Sequence, residues 1–292
     1  MPLLLSPFRP SLHHSTTPRP DPSICVLRHL RVGFSCWQNP HIPVHDPPFM
    51  SLFNSPLSVE KADRLIALLS LSEGARVLDV GCGHGEFLIR VIEASRTHGL
   101  GIDRDAACIS AARAGAAGRI SEVPHEFREG DVQLETPAEG SFDLAICIGS
   151  THAFGDGEAA YPNSLQRLTR LLRPGGQLLV GECYWKQPPP AAYLKLIGEP
   201  VGIYRDHADN ISFAEGHGLV PLYATVSNDD EWDHFEWSHR MKIERQAALH
   251  PDDPTMAEKV RRSRAWRDGY LRWGRSTMGF GFYLFLKPPD AI

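Results

Sequence analysis

The segment Val77-Leu78-Asp79-Val80-Gly81-Cys82-Gly83-His84-Gly85 constrains this chain more than any other. An apolar run suited to a buried strand enters three alternating glycines, and Leu88, Val91 and Ile92 follow at helical spacing. A strand, a tight glycine turn and a helix open a parallel α/β unit, because glycine permits the sharp turn and leaves backbone amides and a helix N-terminus facing a ligand. Dinucleotide-binding turns use Gly-x-Gly-x-x-Gly and seat a pyrophosphate. Here Glu86 stands where that pattern needs its third glycine, and an acid, Asp79, precedes the turn. An acid there suits a ligand that carries a cationic group.

The surrounding pattern extends the unit. Ser55-Pro56 is a helix-start pair, and Ala62, Leu65, Ile66 and Leu69 then fall on one helical face. Strands are expected at residues 75–80, 100–103, up to 127–131, 142–148 and 177–182, and helices at residues 106–117 and around 165–172, with Pro174-Gly175-Gly176 as a halting turn. Five alternations between residues 55 and 182 predict a parallel sheet with helices on both faces. Beyond a proline-rich break at 186–190, strands are expected at 220–226 and 279–286, with helices at about 231–249 and 255–275. A helical pair between two strands predicts a cap over one end of the sheet, because loops at strand ends carry substrate contacts.

Residues 1–49 read differently. They hold ten prolines and only two acids, Asp21 and Asp46. Proline removes donors and fixes φ, so a leader without regular structure is expected, or a natural start at Met50. The remainder, 50–292, reads as a single domain, with 186–275 contributing the substrate cap.

Composition narrows the function classes. The chain has 292 residues, 42% of them hydrophobic, enough for a full core, and a net charge of −5, where a general polyanion binder is usually basic. The longest uncharged apolar stretches, 144–155 and 276–286, are shorter than the ~20 residues that span a bilayer. Six scattered cysteines with no Cys-x-x-Cys pair argue against a disulfide scaffold or zinc ribbon and predict a cytoplasmic location.

Further acids follow at matching places. Gly101-Ile102-Asp103 ends the second strand 24 positions after Asp79, where a carboxylate can accept both hydroxyls of a ribose. Gly130-Asp131-Val132 ends the third, placed to accept from an exocyclic amine, and Arg173-Pro174-Gly175-Gly176 precedes the fifth. This series resembles the class I S-adenosylmethionine-dependent methyltransferases, and looks similar to a bacterial small-molecule group among them. The resemblance implies a Rossmann-like fold: a mostly parallel seven-stranded sheet, helices on both faces and a helical cap inserted near the C-terminus. It implies S-adenosylmethionine as cofactor. It places the methionine part at Asp79, Gly81, Cys82, Gly83 and Gly85, the ribose at Asp103, adenine at Asp131 and Val132, and the reactive methyl beside Ile148 and Gly149. The stretch Ile148-Gly149-Ser150-Thr151 is not the Asn-Pro-Pro-Tyr of enzymes that methylate amino groups of bases and glutamine side chains.

The acceptor must be read from the residues alone. Methyl transfer from a sulfonium needs alignment and, for a protonated nucleophile, a base. His152, just past the fourth strand, is the candidate base; Glu182, at the end of the fifth, is a second catalytic candidate. Five of the six tryptophans follow residue 184. Tyr184, Trp185 and Trp232 are candidate acceptor contacts, with acids interleaved, which suits a compact aromatic or cationic small molecule. Trp266 and Trp273, seven apart, read as packing. The basic stretch 259–275 offers an alternative, RNA methylation, but no RNA-binding module accompanies it. A non-catalytic S-adenosylmethionine-binding module is a further alternative. His234 and His239, five apart, do not share a helical face, so no metal site is expected.

Overall fold

The computed structural model describes residues 52–135 and 137–289. The leader reading of 1–49, with Cys25 and Cys36, lies outside the described residues.

Helix α1 (Val59–Ala67) buries Ala62, Leu65 and Ile66 on one face. Its cap is Ser58, whose side chain accepts from the Lys61 amide, so the helix starts three residues after the expected Ser55-Pro56 pair. Ser55 and Pro56 instead line a cavity, and the Ser227 hydroxyl donates to the Pro56 carbonyl at 2.5 Å. Strand β1 (Arg76–Val80) is buried from Val77 onward and leads through the glycine turn into α2 (Glu86–Ser95). Then follow β2 (His98–Asp103), α3 (Ala106–Ala116), β3 (His125–Glu129), β4 (Phe142–Ile148), α4 (Ala160–Leu171) and β5 (Leu172–Trp185). The expected turn at Pro174-Gly175-Gly176 is absorbed into β5: the pairing with β4 shifts register between Phe142 and Leu144, and Gly175 takes φ 76°. A bulge there spends the turn residues without ending the strand.

The C-terminal part contains α5 (Ala191–Ile197), α6 (His207–Gly216), β6 (Val220–Val226), α7 (Asp229–Leu249), α8 (Pro254–Gly269) and β7 (Met278–Leu286). Between α8 and β7 the helix widens to a π-type turn at Tyr270–Gly274. Sequence reasoning missed α5 and α6. In α6 the buried positions are Asn210 and Ala214, so a polar residue faces the core and masks the apolar period.

The sheet order is β3-β2-β1-β4-β5-β7-β6. β1 to β5 are parallel, and β7 runs antiparallel between β5 and β6. This is the mostly parallel seven-stranded Rossmann-like sheet that the family resemblance implies. The order reverses between β1 and β4, so successive crossovers leave in opposite directions and open a crevice at the C-terminal strand ends. One apolar cluster packs α1, α2 and α3 on one face through Leu65, Leu88, Ile92 and Ile109; another packs α4 on the other through Leu165, Leu168 and Leu171.

The helical pair α7–α8 carries its own charge pairing. Arg264 meets Glu244 at 2.9 Å, and Arg275 meets Asp229 and Asp233 at 3.1 Å each. Trp266 donates its indole N–H to Glu236 at 2.8 Å, and Trp273 lies against Tyr193. The pair is tied to α1 by a buried contact. Glu231 pairs with the Lys61 ammonium and accepts from the Ser58 hydroxyl at 2.6 Å, while Lys61 also donates to the Val226 carbonyl at 2.6 Å. Among the described residues no helix is long and apolar enough to cross a membrane.

Candidate functional site

A cavity of about 180 Å³ opens at the C-terminal ends of the parallel strands. Its wall includes Gly81 and Gly83 from the turn after β1, Asp103 from β2, Asp131 and Val132 after β3, Ile148 and Gly149 after β4, His152, Glu182 from β5 and Trp232 from α7. Ten residues singled out from sequence thus share one cavity, because a parallel sheet delivers every strand end to the same edge.

The turn is shaped by close approaches. Gly81 has φ 68°, and a Cβ there would fall 2.2 Å from the Ser150 hydroxyl; Gly85 has φ 74°, with Phe127 2.6 Å from where its Cβ would be. Both therefore need glycine for conformation and for space. Gly85 serves packing beneath α3 and lines no part of the cavity. The Gly81 amide donates to the Ile102 carbonyl at 2.8 Å, and the Gly83 amide to Asp103 Oδ2 at 2.9 Å. Asp103 Oδ1 accepts from the Asp105 amide, also at 2.9 Å. Each carboxylate oxygen has two acceptor sites, so Asp103 holds the turn in place and keeps capacity for two further donors.

Asp79 and Cys82 line a smaller adjoining recess with Phe53 and Asn54. Asp79 is 4% exposed, and its carboxylate makes no hydrogen bond or ion pair among the described residues. Burial, assisted by the charge of Asp103, pushes its pKa up to about 8. Burial and the charges of Asp79 and Asp103 also push the Cys82 thiol upward, the opposite of what a nucleophilic thiol needs.

The Asp79 shift has a testable sign. In the unfolded chain this carboxyl ionises near ~3.9. Between that pH and about 8 the folded chain holds a proton that the unfolded chain has lost, so stability falls as pH rises through that window. Asp79→Asn removes this penalty. The variant melts higher than the parent, by a margin that grows from pH 5 to pH 8 in thermal denaturation. A margin independent of pH over this range would show that Asp79 is ordinarily ionised.

Just past β4, Thr151 and His152 sit in a short 3-10 turn, Thr151–Phe154. The Thr151 hydroxyl donates to Glu182 Oε2, and the Cys183 amide donates to Glu182 Oε1 at 2.8 Å. Gln133 Nε2 donates to the Ala153 carbonyl at 3.0 Å, joining this turn to the segment after β3.

Of the three expected acceptor contacts, only Trp232 lines the cavity. Trp185 points to the other face of β5, donating its indole N–H to the Val201 carbonyl at 2.8 Å and packing edge-on against Tyr193 and Tyr204. Tyr184 lies over Gly279 of β7 and beside His207. Pairing with β7 seats Tyr184 on Gly279, and strand alternation sends Trp185 to the opposite face. Sequence reasoning placed Phe235 in the aromatic cap, and it does line the cavity; Arg205 and Tyr204, which also line it, were missed. Neither lies in a recognisable motif, and Arg205 falls in a loop whose path depends on α5 and α6.

The sheet order, the glycine turn and the acids at successive strand ends define the class: a Rossmann-like S-adenosylmethionine-dependent methyltransferase. A methyltransferase-domain family model matches residues 71–232, more than half of the chain, and the chain belongs to that family. The uncharacterised protein YjhP of Escherichia coli is 27% identical over 244 residues, covering 80% of this chain and 93% of its own. The crystal structure of YjhP superposes with a TM-score of 0.74. A methyltransferase from Geobacter sulfurreducens, crystallised with S-adenosyl-L-homocysteine, is 25% identical with a TM-score of 0.73, covering 81% of this chain and 94% of that one. The 27-O-demethylrifamycin SV methyltransferase of Amycolatopsis mediterranei is 30% identical over 192 residues, covering 65% of this chain and 59% of its own.

Proposed function

We propose that the chain methylates an N-, O- or C-nucleophile of a compact small molecule with aromatic character. The acceptor is held between the C-terminal strand edge and the helical pair of segment 186–275. The observation that carries this reading is the shared cavity: Gly81, Gly83, Asp103, Asp131 and Val132 border the same space as His152, Glu182 and Trp232. Bound there, S-adenosylmethionine supplies a methyl group already activated on a sulfonium sulfur.

The residues fit that group. Asp79 is a buried carboxyl group without a counter-charge among the described residues, which a ligand ammonium would supply. Asp103 keeps acceptor capacity for ribose hydroxyls after its two backbone bonds. Asp131 and buried Val132 line the cavity, where the first would accept from an adenine amine and the second would pack against the ring. On the other side, His152 takes the proton from an O–H or N–H nucleophile, and Glu182, braced by Thr151, orients it. Tyr204, Trp232 and Phe235 give the acceptor flat apolar walls. The rifamycin relative, whose name also states a small-molecule acceptor, supports this class without defining the molecule.

Asp103→Ala tests the donor half. A buried ribose would lose two hydrogen bonds to a charged acceptor, at ~1.5–3 kcal/mol apiece, so S-adenosylhomocysteine should bind at least ~10-fold more weakly by calorimetry. Unchanged affinity sinks the assignment. The acceptor half is tested by incubating the enzyme and isotopically labelled donor with a metabolite extract. Mass spectrometry should then find label in a small aromatic product.

A further inference from the structure

The cavity contains a cation and a donor that the reading above does not use. Arg205 lies in the loop before α6 and lines the cavity. Its guanidinium carbon sits 4.4 Å from the Phe213 ring centroid and 5.7 Å from that of Tyr161. Its backbone carbonyl accepts from the Trp185 amide at 2.9 Å, which pins the loop to the end of β5. The guanidinium itself makes no hydrogen bond or ion pair among the described residues, whereas Arg264 of α8 and Arg275, between α8 and β7, are matched to carboxylates. Two aromatic faces thus hold a planar five-donor fork at the cavity wall with its polar edge unclaimed.

Trp232, on the same wall, supplies an independent observation. It is 5% exposed, and its indole Nε1–H is buried without an acceptor among the described residues. Its ring is braced edge-on by Phe235, with centroids 6.2 Å apart. A buried N–H without a partner is rare because it forfeits its hydration, and on a cavity-lining residue a ligand acceptor can relieve that deficit. An unpaired guanidinium and an orphaned indole N–H share one requirement: an anionic group rich in acceptor oxygens.

We propose that the methyl acceptor is an anion, carrying a carboxylate or phosphate ester received by Arg205, with Trp232 Nε1–H as a further donor. This rests on the cavity being the methyl-transfer site, and it names the acceptor class within it. The negative group is held at Arg205, and the nucleophile faces His152 and Glu182. Glu182 already accepts from Thr151 and the Cys183 amide, so its charge is stabilised on its own wall.

The test is calorimetric titration of the full chain, saturated with S-adenosylhomocysteine, with benzoate, phenyl phosphate and neutral benzamide. At least one anion should bind ~10-fold more tightly than benzamide, and the tighter of the two identifies the anionic group. Arg205→Ala should remove that preference while S-adenosylhomocysteine affinity stays at the parent value. Arg205→Lys, which keeps the charge but not the fork, should retain part of it. Trp232→Phe, which keeps the ring and removes the N–H, should weaken the preferred anion at least ~3-fold. Three results would each overturn the proposal: no anion binding at millimolar concentration, equal binding of benzamide, or anion affinity unchanged in Arg205→Ala. Failure of the parent to bind S-adenosylhomocysteine is a different result, and removes the donor-site reading itself.

Discussion

Replacing His152 by alanine should lower turnover ~10²–10⁴-fold while S-adenosylhomocysteine affinity stays within about twofold of the parent. His152 sits on the turn that follows β4 and lines the cavity, next to Thr151, whose hydroxyl is bound to Glu182. That turn is anchored at both ends. Ser150 donates its hydroxyl to the Gly81 carbonyl at 3.2 Å, and Gln133 holds the Ala153 carbonyl. The imidazole is therefore presented from a fixed backbone, and the substitution should remove a proton acceptor without moving the donor-side residues. For an acceptor that ionises by itself, the loss should shrink as pH rises, because hydroxide in bulk solution then does what the imidazole did. Full activity of the variant at pH 7 would place the base elsewhere or show that none is needed, as for an amine bound in its neutral form.

Lys61→Met is expected to cost ~3–5 kcal/mol, a fall in melting temperature of roughly 6–20 °C. The reason is asymmetry. With its partner present, Glu231 is matched by the Lys61 ammonium, the Ser58 hydroxyl and the Asn228 amide. Remove the lysine and a carboxylate remains buried between α1 and α7 without a counter-charge. Burial alone would raise the Glu231 pKa, but the bonds from Lys61, Ser58 and Asn228 together hold it below the usual carboxylate range. A folded-state value below the unfolded one means the pair's contribution is present above the unfolded pKa and lost as pH falls through the lowered value. The deficit of the lysine variant should therefore narrow in acid, where Glu231 protonates. The double variant Lys61→Met with Glu231→Leu should recover most of the loss, because an apolar pair needs no counter-charge. A single variant as stable as the parent in thermal melts would show that water replaces the lysine at no cost. Because the pair also ties the start of α7 to α1, the lysine variant should loosen the wall that carries Trp232, which is read as a weaker response to acceptor-site ligands.

The part of this molecule legible in its sequence is the part built by local rules. Strand period, helix period and glycine turns act over a few residues, so β1, β4, the turn at Gly81 to Gly85 and the acids Asp79, Asp103 and Asp131 stand out unaided. Parallel topology then brings those strand ends to one edge, so that Gly81, Asp103 and Asp131, far apart in sequence, share a cavity. What only the tertiary structure decided depends on pairings between distant segments. β7 enters between β5 and β6, which turns Tyr184 onto Gly279 and Trp185 toward Tyr193, away from the cavity that aromatic content alone assigned to them. Lys61 and Glu231 lie 170 positions apart, and no local pattern marks them as partners. Arg205 has no motif at all. Its role rests on Phe213 and Tyr161 arriving from α6 and α4 to hold the guanidinium at the cavity wall, a placement set by long-range packing, which local periodicity does not encode.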